Sequence, residues 1–388
     1  MPRSPSGRPN ERPPVPDLEL VVIDVQPGVV MESQSGLQAL RPRIFGSLMR
    51  PKGQGTGTAA IVMHPTSNFM GHYLLEPLAA RGIACMGLNS RYAGNDTMLL
   101  METVLQDLGA GVKWLRAQGY KKVVLIGNSG GAALSSFYQS QAESLTATHF
   151  VDGLPTHLSS ADMPPVDGLM LSAAHPGRSR LLAEWLDPSV IEEADPLATD
   201  PAFDLYATKE PVPFKADFVA QFRQAQLARR DRIEAWVWAR LRMLRGTPGA
   251  PSDQTFLVYR THSDPRFLDI SLDANDRPVG SIWGDARTVN YAANAMGRFN
   301  TLRSWLSQWS SGSQADGPAC LARTSVPVLL MTHTADGSTF PSTAALWREA
   351  GGNRLTEVAV KGGNHYLAGQ PDLVKQSVDA MEAWLKNV

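Results

Sequence analysis

At 388 residues, with 36 basic and 37 acidic side chains and a formal net charge of −1, the chain has no long-range field to grip nucleic acid, and that class of function is set aside. A hydrophobic fraction of 43% and a mean hydropathy of −0.17 suit a soluble enzyme with one large domain or a core carrying one insertion. No apolar run approaches the ~20 residues that span a bilayer, so a cytoplasmic protein without membrane association is expected. Two cysteines far apart, Cys85 and Cys320, make neither a disulfide framework nor a metal cluster and read as buried free thiols.

Residues 1–17, rich in Pro and Arg without an apolar core, read as a flexible tail rather than a secretory leader. Leu18–Val25 and Ile44–Met49 read as an antiparallel lead-in pair of strands. The rhythm then changes. Strands are expected at Ala59–Met63, Gly82–Leu88, Lys122–Gly127 and Val166–Leu171, with helices between them at 71–81, 96–118 and 131–142. The strands are continuously apolar, without in/out alternation. Strands of that kind alternating with helices predict a parallel sheet covered on both faces. From 176 to 322 the alternation stops. This stretch reads as helical, with one long amphipathic pattern at Phe218–Leu244, and holds Trp185, Trp236, Trp238, Trp283, Trp305 and Trp309. The alternation resumes with a strand at Val326–Met331, a helix at Ser342–Ala350, a strand at Leu355–Val360 and a closing helix at Asp372–Lys386. A sheet core of 18–175 and 323–388, interrupted by a helical insertion at 176–322, accounts for this layout with the fewest parts.

Gly127-Asn128-Ser129-Gly130-Gly131 follows an apolar strand directly and opens a helix. So sharp a turn puts the serine backbone in a strained conformation and leaves room only for glycine at the flanking positions, lifting the hydroxyl above the sheet. Serine needs a base within reach to become a nucleophile. His365, in Gly362-Gly363-Asn364-His365 after the last strand, projects from the same sheet edge. The other seven histidines fit that role less well: His64 ends a strand far upstream, His333 stands just before the loop expected to carry the acid, and His72, His149, His157, His175 and His262 have no matching position. Asp336, after the penultimate strand, supplies the carboxylate that holds the tautomer of the base. The developing oxyanion needs two N–H donors: Gly130 is one candidate, and Thr66, with Ser67 behind it, is the other, because Pro65 has no N–H.

Taken together, these residues resemble the α/β-hydrolase superfamily over nearly all of 18–388 apart from the insertion. The resemblance rests on the strand ending at His64, the elbow Gly127–Gly131, the acid loop at Asp336 and the Gly-x-x-His loop at His365. It implies that the helical insertion is a cap domain and that His64 braces its loop. One departure stands out: the superfamily usually has His-Gly where this chain has His64-Pro65.

The expected chemistry is hydrolysis of a carboxylic ester or lactone through an acyl-enzyme on Ser129, with no cofactor and no metal ion. The base must be neutral, so turnover is expected to fall as pH drops through the ordinary histidine range near ~6.5. The cap tryptophans suit a bulky apolar or aromatic substrate, and serve equally well as the cap's own core. Arg91 and Tyr92, on the loop after Leu88, and Ser67 are candidate substrate contacts. The same triad would also serve a C–C bond hydrolase, an amide hydrolase or an acyltransferase. A non-catalytic binding protein on this fold is the reading from another class. Ser129 in the elbow excludes chemistries that need a carboxylate nucleophile. The expected partner is a small-molecule substrate, with homodimerisation left open.

Overall fold

The computed structural model describes residues 17–27, 42–52, 57–207 and 210–388. The expected N-terminal tail falls almost wholly outside the described residues. Ten strands form. β1 (Asp17–Asp24) and β2 (Arg43–Arg50) are the lead-in pair. They are followed by β3 (Thr58–His64), β4 (Ala84–Asn89), β5 (Lys122–Asn128) and β6 (Gly168–Ser172). β7 (Thr255–Leu257) and β8 (Phe299–Thr301) make a separate two-stranded ribbon. β9 (Val328–His333) and β10 (Leu355–Val360) complete the main sheet, whose order is β1-β2-β4-β3-β5-β6-β9-β10. β1 and β2 run antiparallel to their neighbours, and every other pairing in this sheet is parallel.

Alternation along each strand sends its side chains to two cores. Ala59, Ile61 and Met63 of β3, with Val123 and Leu125 of β5, enter one apolar cluster; Ala60, Val62, Val124 and Ile126 enter the other. The first cluster is closed by α2 (Met101–Ala117) and α3 (Gly131–Glu143), the second by α1 (Leu75–Ala79) and α10 (Pro371–Leu385). Both strand faces are therefore dry, which is why these strands read as unbroken apolar runs. Two helices begin later than the sequence suggests. Residues before α2 are drawn into a loop, where Asp96 pairs with Arg178 at 2.8 Å, and those before α1 form a turn around His72.

Between β6 and β9 lie α4 (Arg178–Trp185), α5 (Ala216–Gly246), α6 (Ala286–Tyr291), α7 (Leu302–Gln308) and α8 (Gly317–Leu321). The 31 residues of α5 bury Phe222, Gln226, Arg229, Ile233, Val237, Leu241 and Leu244, a stripe at helical spacing. Its C-terminal part packs with Leu182, Trp305 and Trp309 into a core separate from the two sheet cores. α8 is different: Cys320 and Leu321 join the sheet cluster that also holds α3 and Trp347 of α9 (Pro341–Gly351). Both cysteines are free and buried, and burial pushes the Cys320 thiol up to about 11. Among the described residues no helix is long and apolar enough to cross a membrane.

Candidate active site

From β3 the chain steps to β4 on one side and later to β5 on the other, so the carboxyl ends of β3 and β5 are adjacent where the strand order reverses. Crevices at such points are the usual ligand sites of open α/β sheets. His64 ends β3 and Ser129 follows β5, and the next strand ends along the same rim lead to His175, Asp336 and His365.

Ser129 takes φ 58°, the left-handed region that a non-glycine residue enters only under constraint. Neighbouring backbone fixes it there: its N–H donates to Ser172 O at 3.1 Å, and its carbonyl accepts from Ala132 and His175. The glycines around it are dictated by contact. A Cβ on Gly127 would sit 2.5 Å from Ala132 Cα, and one on Gly131 would sit 2.3 Å from Met63 O. The Gly130 N–H, at the head of α3, donates to no acceptor among the described residues.

Asp336 is wholly buried and lies 2.7 Å from His365 Nδ1. The Ser338 N–H and the Thr339 hydroxyl donate to its two oxygens at 2.8 and 2.5 Å. Burial works against ionisation, but the neighbouring His365 imidazole and the hydrogen bonds from His365 and Thr339 hold the carboxyl well below the usual carboxylate range. His365 Nδ1–H therefore faces a carboxylate, which leaves the Nε2 lone pair as the basic site. Nε2 is buried with no hydrogen-bond partner among the described residues, while the Ser129 hydroxyl interacts with the hydroxyl of Tyr366. His333 clips the two loops together: its Nδ1 lies 2.8 Å from Asn364 O and its Nε2 lies 3.1 Å from Ser172 Oγ.

His175 stands closer to this centre than its sequence position suggested. Its Nε2 lies 3.2 Å from Ser338 Oγ, which also reaches Asp336 and His365, and its ring centroid is 5.3 Å from that of His365. Burial pushes His175 down to about 3, so it stays neutral. The signal that could have found it is the one used for Ser129: a polar side chain just past the carboxyl end of a central strand. Tyr366 had a signal of its own, as the direct neighbour of the proposed base.

A cavity of about 720 Å³ opens over Ser129. Its lining combines apolar side chains, among them Leu181, Trp185, Ile282 and Trp283, with polar ones, among them Asp96 and Arg178. The tryptophans divide between the two roles open to them: Trp185 and Trp283 line this cavity, whereas Trp305 and Trp309 are fully buried in the core along α5. Arg91 and Tyr92, the candidate substrate contacts, are not among the residues that line it. Arg91 is committed to the buried Asp107 at 2.6 Å, and Tyr92 packs into a sheet core. The same loop instead contributes residues 94–97 to the wall. The Thr66 assignment also meets an obstacle. Thr66 and Ser67 both line the cavity, but their N–H groups turn onto His64 Nδ1 at 3.1 and 2.9 Å. Neither is available as an oxyanion donor while the loop is held this way.

No protein-family model and no curated protein sequence matches this chain. Solved structures do. One of DcsB in complex with its substrate analogue superposes over 95% of this chain and 99% of its own, with a TM-score of 0.52 at 12% identity. A carboxyl esterase from Bacillus coagulans covers 95% and 98% at a TM-score of 0.48 and 10% identity. An esterase domain from Rhodothermus marinus covers 96% and 98% at 0.47 and 12%. At such identities the likeness is one of fold. With its eight-stranded, mostly parallel sheet, its helices on both faces and its serine at the turn after β5, the chain has the fold of the α/β-hydrolase superfamily.

Proposed function

We propose that this protein is a serine hydrolase that cleaves a carboxylic ester or lactone of bulky apolar or aromatic character, with residues 176–322 acting as a cap over the site. The observation that carries this reading is the 2.7 Å pairing of a buried Asp336 with His365 Nδ1, at the rim where Ser129 is held at φ 58°. Such an arrangement serves acyl transfer. His365 Nε2 takes the Ser129 proton as Oγ attacks the carbonyl carbon, and the resulting imidazolium is stabilised by Asp336. The leaving oxygen receives that proton as the acyl-enzyme forms. Water, deprotonated by the same nitrogen, then releases the acid and restores Ser129. The attack requires the Ser129 hydroxyl, which here interacts with Tyr366, to donate to His365 Nε2 instead.

The substrate class rests on the cavity. At about 720 Å³ it takes a ligand of drug-like size, and the apolar Trp185, Trp283 and Ile282 in its lining suit a large acyl or aryl group. A panel of short and long p-nitrophenyl esters, lactones and amides tests both points. Turnover favouring bulky esters or lactones, falling by about 10⁴-fold or more in Ser129→Ala, is the expected result. Turnover that survives Ser129→Ala would remove the assignment.

A further inference from the structure

His64 ends β3 beside the elbow, and its two ring nitrogens face different surroundings. Nδ1 accepts the N–H groups of Thr66 and Ser67 at 3.1 and 2.9 Å. A nitrogen that receives two hydrogens carries none of its own, so the neutral ring has its proton on Nε2. Protonating the ring would drive a third hydrogen against the two already there. Burial, with the Arg178 charge nearby, likewise holds His64 far below the ordinary histidine range. Nε2 lies against Gly130: a Cβ on that glycine would be 2.7 Å from it. His64 lines the cavity together with Ser129 and Gly130, and its Nε2–H meets no acceptor among the described residues. Bracing the loop accounts for Nδ1 but does not require a second N–H turned to the elbow.

We infer that the His64 Nε2–H is the second donor of the oxyanion hole, beside the Gly130 N–H, in place of an amide from the 65–67 loop. The inference rests on the serine hydrolase reading. As the carbonyl carbon becomes tetrahedral, its oxygen takes the electron pair of the broken π bond and receives hydrogen bonds from both N–H groups. No proton leaves His64, and the ring stays neutral throughout. Pro65 fits this account. It has no N–H to offer, and it sets the turn in which the next two amides converge on one side chain.

The test uses the full-length protein and a turned-over ester, comparing wild type with His64→Asn, His64→Gln, Gly130→Ala and Ser129→Ala. Asparagine offers an acceptor at the Nδ1 position for the Thr66 and Ser67 amides but no donor at the Nε2 position, whereas glutamine can reach the latter. His64→Asn is expected to lower kcat by about 10²–10³-fold with KM within about threefold, as loss of one oxyanion donor does. His64→Gln should recover at least about tenfold of that loss, because an amide N–H can take over the donor's place. A trifluoromethyl ketone, which forms the tetrahedral adduct, should lose affinity in His64→Asn far more than a plain ketone of the same shape. Gly130→Ala approaches the contact from the other side, leaving the His64 brace chemically intact while its methyl displaces Nε2, and it should lower kcat as well. Either His64→Asn or Gly130→Ala, folded and keeping kcat within about threefold of wild type, would overturn the inference. A wild type that is inactive on esters and insensitive to Ser129→Ala would instead overturn the reading beneath it.

Discussion

Ser129 is held in a left-handed backbone conformation that costs a non-glycine residue on the order of 1–3 kcal/mol, and hydrogen bonds from two neighbouring segments secure it there. Asp336 is held just as firmly, by the Ser338 N–H and the Thr339 hydroxyl. That rigidity makes Asp336→Asn informative. The amide would donate to His365 Nδ1 rather than accept from it, leaving the imidazole proton on Nε2 where the lone pair is needed. A fall in kcat of about 10³–10⁴-fold is expected by steady-state kinetics, and a loss below tenfold would deny Asp336 its role. At this scale the sequence was readable where a side chain follows a strand end, because the strand fixes where the next residue emerges; Ser129, Asp336 and His365 are of this kind. Thr66 was harder to read. Whether its N–H faces the cavity or a neighbouring imidazole depends on the rotamer of His64, which a sequence pattern does not carry.

The elbow is a contact problem between β5, α3 and β3. Gly127 and Gly131 have ordinary φ values, so their role is clearance rather than backbone freedom. Alanine at Gly131 would press against the Met63 carbonyl, and alanine at Gly127 against the Ala132 backbone, neither of which can yield. Each substitution should destabilise the fold by about 1–3 kcal/mol or more, read as a lowered urea midpoint. Gly130→Ala meets the His64 ring rather than backbone and should lower the midpoint less than either. Equal effects at all three positions would contradict this distinction. The elements themselves were legible from unbroken apolar strands and from the stripe on α5. The loop after β4 was not, because Arg91 is captured by Asp107 from α2, a tertiary pairing that periodicity cannot reveal.

Across the whole molecule, five histidines are buried in the neutral form. Burial lowers His64 and His333, takes His72 to about 4, and takes His175 and His262 to about 3. In the unfolded chain each would bind a proton near the ordinary ~6.5, so below that pH unfolding takes up protons and stability falls as pH falls. The loss should begin near pH 6.5 and reach up to about 1.4 kcal/mol per pH unit for each such histidine. Asp336 adds to it only further down: with its folded value depressed, its contribution is complete above the unfolded value near ~3.9 and is lost as pH drops below that. Urea unfolding at pH 7.5 and 5.5 checks this, and an unchanged midpoint would show that the histidines are not buried neutral. The two-core sheet was readable from the chain as a whole; the burial of so many imidazoles was not, because it depends on loops that meet only in the folded state.

In the proposed reading the Asp336–His365 pair makes the Ser129 hydroxyl reactive. Reacting the folded protein with a fluorophosphonate probe and locating the adduct by mass spectrometry tests it directly. One phosphonyl group per chain is expected, on Ser129, lost in His365→Ala. An unlabelled folded protein, or an adduct on another side chain, would contradict that reading.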